Sequence, residues 1–278
     1  MREKLILAIV VTASLLSACS TSYIPPDQKY DTTNLNDLEN ISETVRHDGE
    51  TGKAADSQLR YKALEEIGMT LGAQGGLASA SQGIDVSLDR DHRQLEALFN
   101  FNGMILSHGV MPPVLVQSDT SLNLADPDTI RIADKSYKII KQARFVTAPP
   151  NWRDYLWQTY EKPEMPHKVL LPTNAEERRI WRRAIKVGWE KGTQQAYDIF
   201  QQNLALLKRD YAGMILYRKL LQEHMVSPPY VAKTELGVTG SGDDMRINDQ
   251  VLRITVHPQL QTNSNRWKAI VVRPNDDS

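Results

Sequence analysis

The stretch that decides the fold is TNAEERRIWRRAIKVGWEKGTQQAYDIFQQNL, residues 173–204. Large apolar side chains recur at helical spacing in it and just beyond it, at Trp181, Ile185, Trp189, Ile199, Phe200 and Leu207. Thr173 and Glu176 fit a capping box, in which each side chain satisfies a free backbone N–H at the start of a helix. We therefore predict a long helix that begins at Thr173 and ends near residue 208.

Small residues occupy one side of this predicted helix. Ala184, Gly188, Gly192 and Ala196 recur every four residues. Glycine inside a helix costs about 1 kcal/mol relative to alanine, so two glycines here indicate a compensating gain from close packing. A second small-residue run, GAQGGLASASQG at 72–83, follows a helical pattern that starts near residue 53. It lacks the Gly-Lys-Ser/Thr ending of a phosphate-binding loop, so we interpret it as another closely packed surface.

Shorter helical patterns occur elsewhere. The sequence predicts a second helix over 211–225, directly after the long one, and a helix over 91–108. An aromatic segment at 151–160 predicts one or two helical turns between proline-rich stretches.

Strand patterns complete the body. VLVQ (114–117) predicts a short strand, and 129–146 predicts a hairpin that turns at Asp134-Lys135-Ser136. Near the C-terminus, YVAKTELGVT and DQVLRITVH flank the turn cluster GSGDD at 240–244, which predicts a second hairpin. RWKAIVV (266–272) is a candidate third strand. The fold class is thus α+β: a helix-rich single body over 53–278 with small antiparallel hairpins.

The N-terminus has the pattern of an export signal. Arg2 and Lys4 precede an apolar run at 5–16, which is shorter than the roughly 20 residues of a membrane-spanning helix. Leu16-Ser17-Ala18-Cys19 follows and resembles the bacterial lipobox, whose cysteine is acylated after cleavage before it. Cys19 is the chain's one cysteine, so it has no intramolecular disulfide partner. We predict a signal peptide over 1–18 and lipidation at Cys19; the alternative is an ordinary secretory peptide with an incidental cysteine.

Residues 19–52 are polar and proline-containing, with weak apolar periodicity. They predict a flexible tether between lipid anchor and body, and the alternative is a strap along the folded domain. Ser20 after Cys19 favours the outer membrane, because lipoproteins retained in the inner membrane usually carry aspartate at that position.

The composition argues against nucleic acid as a direct partner. The formal net charge is −1, with 33 basic and 34 acidic side chains, whereas nucleic-acid-binding domains are usually strongly basic. One basic cluster, ERRIWRRAIK (177–186), suits phospholipid headgroups, an acidic partner or nucleic acid. The alternative that we favour is a solvated helix face whose arginine stems cover Trp181.

No catalytic or metal-binding motif stands out. The six histidines are scattered over the chain, none in a His-Glu-x-x-His pattern: His47, His92, His108, His167, His224 and His257. Ser107 and Ser241 lie outside any Gly-x-Ser-x-Gly motif. We therefore expect no enzymatic activity, no cofactor and no metal, although a zinc site assembled from distant histidines stays open.

Four stretches together resemble the DotC family of outer-membrane lipoproteins from type IVB secretion systems and IncI-type conjugation systems. They are the lipobox ending at Cys19, LEALFNFNGMIL…GVMPPVLVQ (95–117), ARFVTAPPNWRDYL (143–156) and the tryptophan-rich helix at 177–204. The resemblance implies a structural lipoprotein on the periplasmic face of the outer membrane. It also implies partnership with a smaller DotD-like lipoprotein, recruitment of a DotH-like subunit and membership of a multimeric ring.

Aromatic side chains are the candidates for an interface, because large aromatic anchors dominate many protein–protein contacts. The candidates are Trp152, Trp157, Trp181 and Trp189, with core packing as the alternative, favoured for the last two. Two other functions stay open from the sequence: a periplasmic hydrolase with a site built from scattered residues, and a lipoprotein that binds the cell wall or a small molecule.

Overall fold

The computed structural model describes residues 31–42, 54–126 and 128–268 of the 278-residue chain. The helices are α1 Leu35–Glu39, α2 Ala54–Arg90, α3 His92–Leu98, α4 Arg153–Leu156 and α5 Ala175–Gln222. The strands are β1 Val110–Met111, β2 Val114–Asp126, β3 Thr129–Lys141, β4 Arg144–Phe145, β5 Tyr230–Ser241 and β6 Asp244–Val256. Each strand pairs antiparallel with one other, as β1–β4, β2–β3 and β5–β6. The α+β prediction is confirmed.

The centre of the fold is the parallel pair of α2 and α5, packed backbone to backbone. Residues 68, 72 and 76 of α2 face residues 184, 185 and 189 of α5, so the helices run in the same direction. At four glycines an added Cβ would lie 2.0–2.4 Å from a carbonyl oxygen of the other helix: Gly72 against Ile185, Gly76 against Trp189, Gly188 against Met69 and Gly192 against Ala73. Close packing is therefore confirmed for both small-residue stretches.

The start of α5 lies one residue later than the capping box predicted. Asn174 is the N-cap, and its side-chain oxygen accepts the Glu177 N–H at 2.8 Å. The carboxylate that reaches back belongs to Glu177, which accepts from the backbone N–H and hydroxyl of Thr173 at 2.8 and 2.9 Å. Glu176 instead points outward and pairs with Arg179. Glu177 takes the buried position because Arg60 of α2 also binds its carboxylate.

The predicted helix end near residue 208 is wrong. α5 continues without a break to Gln222, so the helix expected over 211–225 is its last part. Asp210 follows the predicted end, and its carboxylate is buried and bound by Lys141 of β3. Gly213 follows against β2, where an added Cβ would be 2.5 Å from the Leu115 carbonyl oxygen. Continuing the helix therefore places both residues against the β2–β3 hairpin.

The hairpin predicted over 129–146 is also wrong. Residues 129–141 form one strand, β3, and its partner is β2, which extends far beyond VLVQ to Asp126. Lys135 and Ser136 lie in the middle of the ladder opposite Asp119 and Ser118, so the predicted turn does not exist. The C-terminal hairpin is confirmed as β5–β6.

The shorter segments follow their patterns in part. The helix predicted over 91–108 is confined to α3, after which the chain forms 3-10 turns at Asn102–Met104 and Ser107–Gly109. The helical turns predicted in 151–160 correspond to α4. Of the candidate strand 266–272, Arg266 lies in a 3-10 turn, Trp267 and Lys268 are irregular, and 269–272 lie outside the described residues.

Residues 31–42 lie along the helix pair. Leu38 and Ile41 are fully buried there, and the Trp181 indole N–H donates to the Leu38 carbonyl at 2.9 Å. The Thr32 hydroxyl donates to the Pro163 carbonyl at 2.8 Å. This part of 19–52 is thus a strap, while 19–30, 43–52 and the predicted signal peptide 1–18 lie outside the described residues.

Candidate protein-interaction surface

Both long hairpins start from one apolar cluster at the C-terminal part of α5. Tyr217 and Leu220 of α5 pack there with Leu115 of β2 and Val226, all buried, and Leu260 lies against them. Val226 and Leu260 also form an isolated β-bridge at the base of the β5–β6 hairpin. Burial raises the pKa of the Tyr217 phenol to about 12, so it stays protonated. The cluster therefore ties the hairpin bases to the helix.

A buried carboxylate holds the base of the β2–β3 hairpin. Asp210 of α5 accepts from Lys141 of β3 at 2.5 Å, from Tyr155 of α4 at 3.2 Å and from Arg209 at 2.8 Å. Burial raises the Asp210 pKa, but the hydrogen bonds from Lys141 and Arg209 outweigh it and leave the pKa below its ordinary value. Burial and the nearby Asp210 charge raise the Tyr155 pKa to about 12. Asp210 thus stays ionised and connects α5 to β3 and to α4.

Beyond this base, the β2–β3 hairpin exposes apolar side chains. Leu122 lies directly opposite Ile132, and Ile130 lies two residues further along the same face. Their exposures are 67%, 69% and 59% respectively. Three large aliphatic side chains in a row therefore face solvent on a strand pair that projects from the helices.

The β5–β6 hairpin repeats this arrangement. Val238 lies two residues before Gly240, Gly240 pairs with Met245, and Ile247 lies two residues after Met245, so the three apolar side chains share a face. They are 64%, 67% and 66% exposed. Leu236 and Val251 of the same hairpin are also exposed.

These hairpins have the properties of a binding surface. An isolated two-stranded ribbon is marginally stable in water unless a third strand or a helix covers it, and contiguous exposed apolar patches mark interaction sites. Among the described strands, neither hairpin has a third neighbour. Each therefore offers another protein two things at once: an aliphatic face to bury and a strand edge with free backbone N–H and C=O groups.

The four predicted tryptophans do not form one surface. Trp152 and Trp181 are fully buried, so the folded chain cannot present them to a partner. For Trp181 this is the core packing that the sequence favoured, whereas the interface prediction for Trp152 is wrong. Their burial has a clear source, since Trp152 lies in the apolar cluster around α4 and α1 covers Trp181. Trp189 is half-buried against Leu38 and Ile41. Trp157 is 42% exposed and remains a candidate.

The remaining predicted residues contribute no further site. Cys19 lies outside the described residues. In the part of the chain that the structure describes, no three His, Cys, Asp or Glu side chains come close enough to hold a metal ion. In the basic cluster 177–186, Arg182, Arg183 and Lys186 are exposed, and the indole N–H of the buried Trp181 donates to the Leu38 carbonyl of α1.

No described helix combines the length and the apolar character that are needed to cross a bilayer.

The search of curated proteins gave no match. The model of one protein family, described as "Type IV secretory system, conjugal DNA-protein transfer", matches residues 58–269, which is more than half of the chain. The match spans both hairpins and the α2–α5 pair and does not include the lipobox-like stretch. The chain therefore belongs to the type IV secretory system family of conjugal DNA-protein transfer.

Proposed function

We propose that this chain is a structural, lipid-anchored subunit of the type IVB secretion or conjugation core complex at the outer membrane, equivalent to the DotC-like lipoproteins. Family membership supports a role in the secretion machine. The observation that carries the structural role is the pair of projecting hairpins with exposed aliphatic faces. A chain built in this way contributes binding surfaces, and we propose no enzymatic activity for it.

The proposed anchor is an acylated Cys19 on the periplasmic face. Burial of an acyl chain gains about 0.8 kcal/mol per CH₂ group, and stable anchoring takes at least two chains, which a triacylated cysteine exceeds. The strap adds a geometric limit, because the ion pair with Lys162 holds Asp31 against the body. Residues 20–30 span at most about 40 Å when fully extended. Asp31, where the strap begins to contact the body, would thus stay within that distance of the membrane surface.

The proposed partner of the hairpins is the DotH-like ring subunit, with a DotD-like lipoprotein beside it. Anchored copies would bring this subunit to the outer membrane and form part of a multimeric ring. The balanced charge of the chain supports protein partners and gives no reason to include nucleic acid. Aliphatic faces on paired strands suit a partner that presents its own strand or apolar groove.

A double substitution on one hairpin face tests this proposal. Met245→Asp with Ile247→Asp would put two charges on the exposed face of β6, where burial against a partner becomes costly. We expect the DotH-like subunit to be lost from affinity-purified complexes. The melting temperature of the purified chain should change little, because both side chains are exposed.

The matched control is Gln250→Asp, which adds a charge to an exposed position of the same strand three residues beyond Ile247, opposite Glu235 rather than in the group of Val238, Met245 and Ile247. It should retain the DotH-like subunit. Unchanged partner recovery with the double variant, measured by quantitative proteomics of the complexes, would contradict the proposed role of the hairpin.

A further inference from the structure

An open groove of about 500 Å³ lies between the strap, α2 and the extended segment after α4. Its walls combine aromatic and polar side chains, chiefly Trp157, Tyr160, Gln82, Asp85, Gln158 and Lys162. None of these residues belongs to the hairpins, so the groove is a separate feature from the surface assigned above.

The aromatic wall includes Trp157, whose ring lies beside the Arg153 guanidinium. The Arg153 guanidinium lies 5.9 Å from the Trp157 ring centroid and 4.3 Å from that of the buried Trp152. Arg153 also forms ion pairs with Asp89 at 3.1 Å and Glu96 at 3.4 Å. Cation–π contact of this kind orients an indole ring. Trp157 thus presents an exposed indole ring at the edge of a polar groove.

The polar wall offers hydrogen-bonding groups that the fold does not fully use. One carboxylate oxygen of Asp85 accepts the backbone N–H of Gln158 at 3.1 Å. The Gln158 side chain is almost fully buried, and its oxygen lies 3.1 Å from the Ser81 hydroxyl. Among the described residues its amide nitrogen has no hydrogen-bond partner. This nitrogen is enclosed by the fold, so the polar groups that the wall presents to a ligand are the half-buried Asp85 carboxylate and the exposed Gln82 amide.

The charges of the groove decide which ligand class fits. Asp31 and Lys162 neutralise each other at 2.7 Å, so Lys162 does not offer a free cation for an anionic ligand. Asp85 remains as a hydrogen-bond acceptor, beside the donor and acceptor groups of Gln82 and Thr159. Such a set matches the closely spaced hydroxyl groups of a sugar, which both donate and accept.

We propose that this groove binds a neutral saccharide, with one sugar ring stacked on Trp157 and its hydroxyls bonded to Asp85 and Gln82. The apolar C–H face of the sugar ring would cover the indole ring. This contact would bury apolar surface on both rings and add weak C–H···π interactions. The open shape of the groove suits one unit of a longer glycan chain.

The test is a titration of the purified full chain, in a detergent without a sugar headgroup, followed by the NMR signals of the tryptophan indole N–H groups. The probes are chitotetraose and cellotetraose, both neutral, and tetramethylammonium as a cationic ligand. We expect saturable shifts of the Trp157 signal with at least one oligosaccharide. Trp157→Ala and Asp85→Asn should each weaken this binding at least tenfold.

Trp267→Ala is the matched control, because Trp267 has a similar exposure of 44% and lies outside the groove. It should leave saccharide binding unchanged. Gln82→Ala, at an exposed position that adds little to folding, gives a second variant with an expected loss of saccharide affinity of at least threefold.

Binding of tetramethylammonium alone, binding of no probe, or equal loss in the Trp267 control would each overturn the proposal. These readouts do not involve the DotH-like partner, so failure here leaves the assembly role untouched.

Discussion

At the scale of single residues, Glu177 shows how one side chain joins three segments. Its carboxylate binds Arg60 of α2 at 2.7 Å, the Thr173 backbone at 2.8 Å and the Thr173 hydroxyl at 2.9 Å. Burial raises the Glu177 pKa, but these hydrogen bonds outweigh it and bring the pKa to about 2. Glu177 therefore stays ionised and fixes both the start of α5 and its position against α2.

The first prediction concerns the loss of this charge. Glu177→Gln keeps the shape but leaves the Arg60 guanidinium without its partner, so the free energy of unfolding should fall by about 2–3 kcal/mol at neutral pH. Glu176→Gln, at the exposed neighbour, should change it by less than about 0.5 kcal/mol. Urea denaturation followed by circular dichroism measures both. Equal losses of stability in the two variants would contradict the assignment of the buried capping contacts to Glu177.

The second prediction concerns acid. The Glu177 pKa is lowered from 4.5 to about 2, so the folded state binds fewer protons than the unfolded state between these values. Its stabilisation is complete above about pH 4.5 and is lost as the pH falls towards 2. We expect a loss of about 2 kcal/mol between pH 6 and pH 3 from this group alone. The urea midpoint measures the loss, which should be smaller in Glu177→Gln; stability that holds or rises on acidification would refute it.

The sequence showed that a glutamate would cap the start of α5, but it did not show which of the two adjacent glutamates takes that position. A polar residue followed by glutamate predicts a cap, and two adjacent glutamates fit it equally well from local pattern alone. The choice depends on Arg60, which is distant in sequence and meets Glu177 only after α2 and α5 pack. Trp152 failed as an interface candidate for a similar reason, because exposure depends on tertiary contacts.

At the scale of elements, the α2–α5 pair depends on glycines that let the backbones touch. An added Cβ at Gly192 would lie 2.0 Å from the Ala73 carbonyl oxygen, a distance that forces the helices apart. In contrast, Gly83 of α2 has nothing within 4 Å of the equivalent position. The same substitution therefore has opposite expected effects at these two helical sites.

The third prediction follows from this contrast. Gly192→Ala should lower the free energy of unfolding by about 3 kcal/mol, because the backbone contact leaves little room to relax. Gly83→Ala should raise it by about 0.5–1 kcal/mol through the higher helix propensity of alanine. Thermal and urea unfolding of both variants would test the pair. Stabilisation by Gly192→Ala would mean that the helices do not pack at this distance.

Helix pairing was predictable from sequence, whereas the strand register was not. Glycine every four residues has a direct physical meaning, because only a close neighbour compensates its cost. The β2–β3 hairpin was missed because Asp134-Lys135-Ser136 looked like a turn, while the stronger turn signal around Asp128, between two alternating segments, went unused. Likewise, the continuation of α5 past residue 208 depends on a tertiary contact, because the charge partner of the buried Asp210 lies 69 residues away in sequence.

At the scale of the whole molecule, the helices are packed together and the two long hairpins expose apolar side chains. The strap, α2 and the first part of α5 pack around buried side chains, and the hairpins project from the last part of α5 with apolar faces in solvent. The family resemblance implied an assembly role in type IV secretion, and the family match shows membership of a type IV secretion family. The exposed faces were not predictable, because strand alternation looks the same whether a face meets the chain's own core or another protein.

The covalent state of the mature N-terminus is the most direct test of the central claim, that a lipid on one sulfur holds this subunit at the outer membrane. Mass spectrometry of the protein purified from outer membranes should show a chain that begins at Cys19 and carries three acyl groups. A Cys19→Ser chain should keep its signal peptide or lose its membrane association while retaining the folded body. A wild-type N-terminal peptide with an unmodified cysteine would contradict the account.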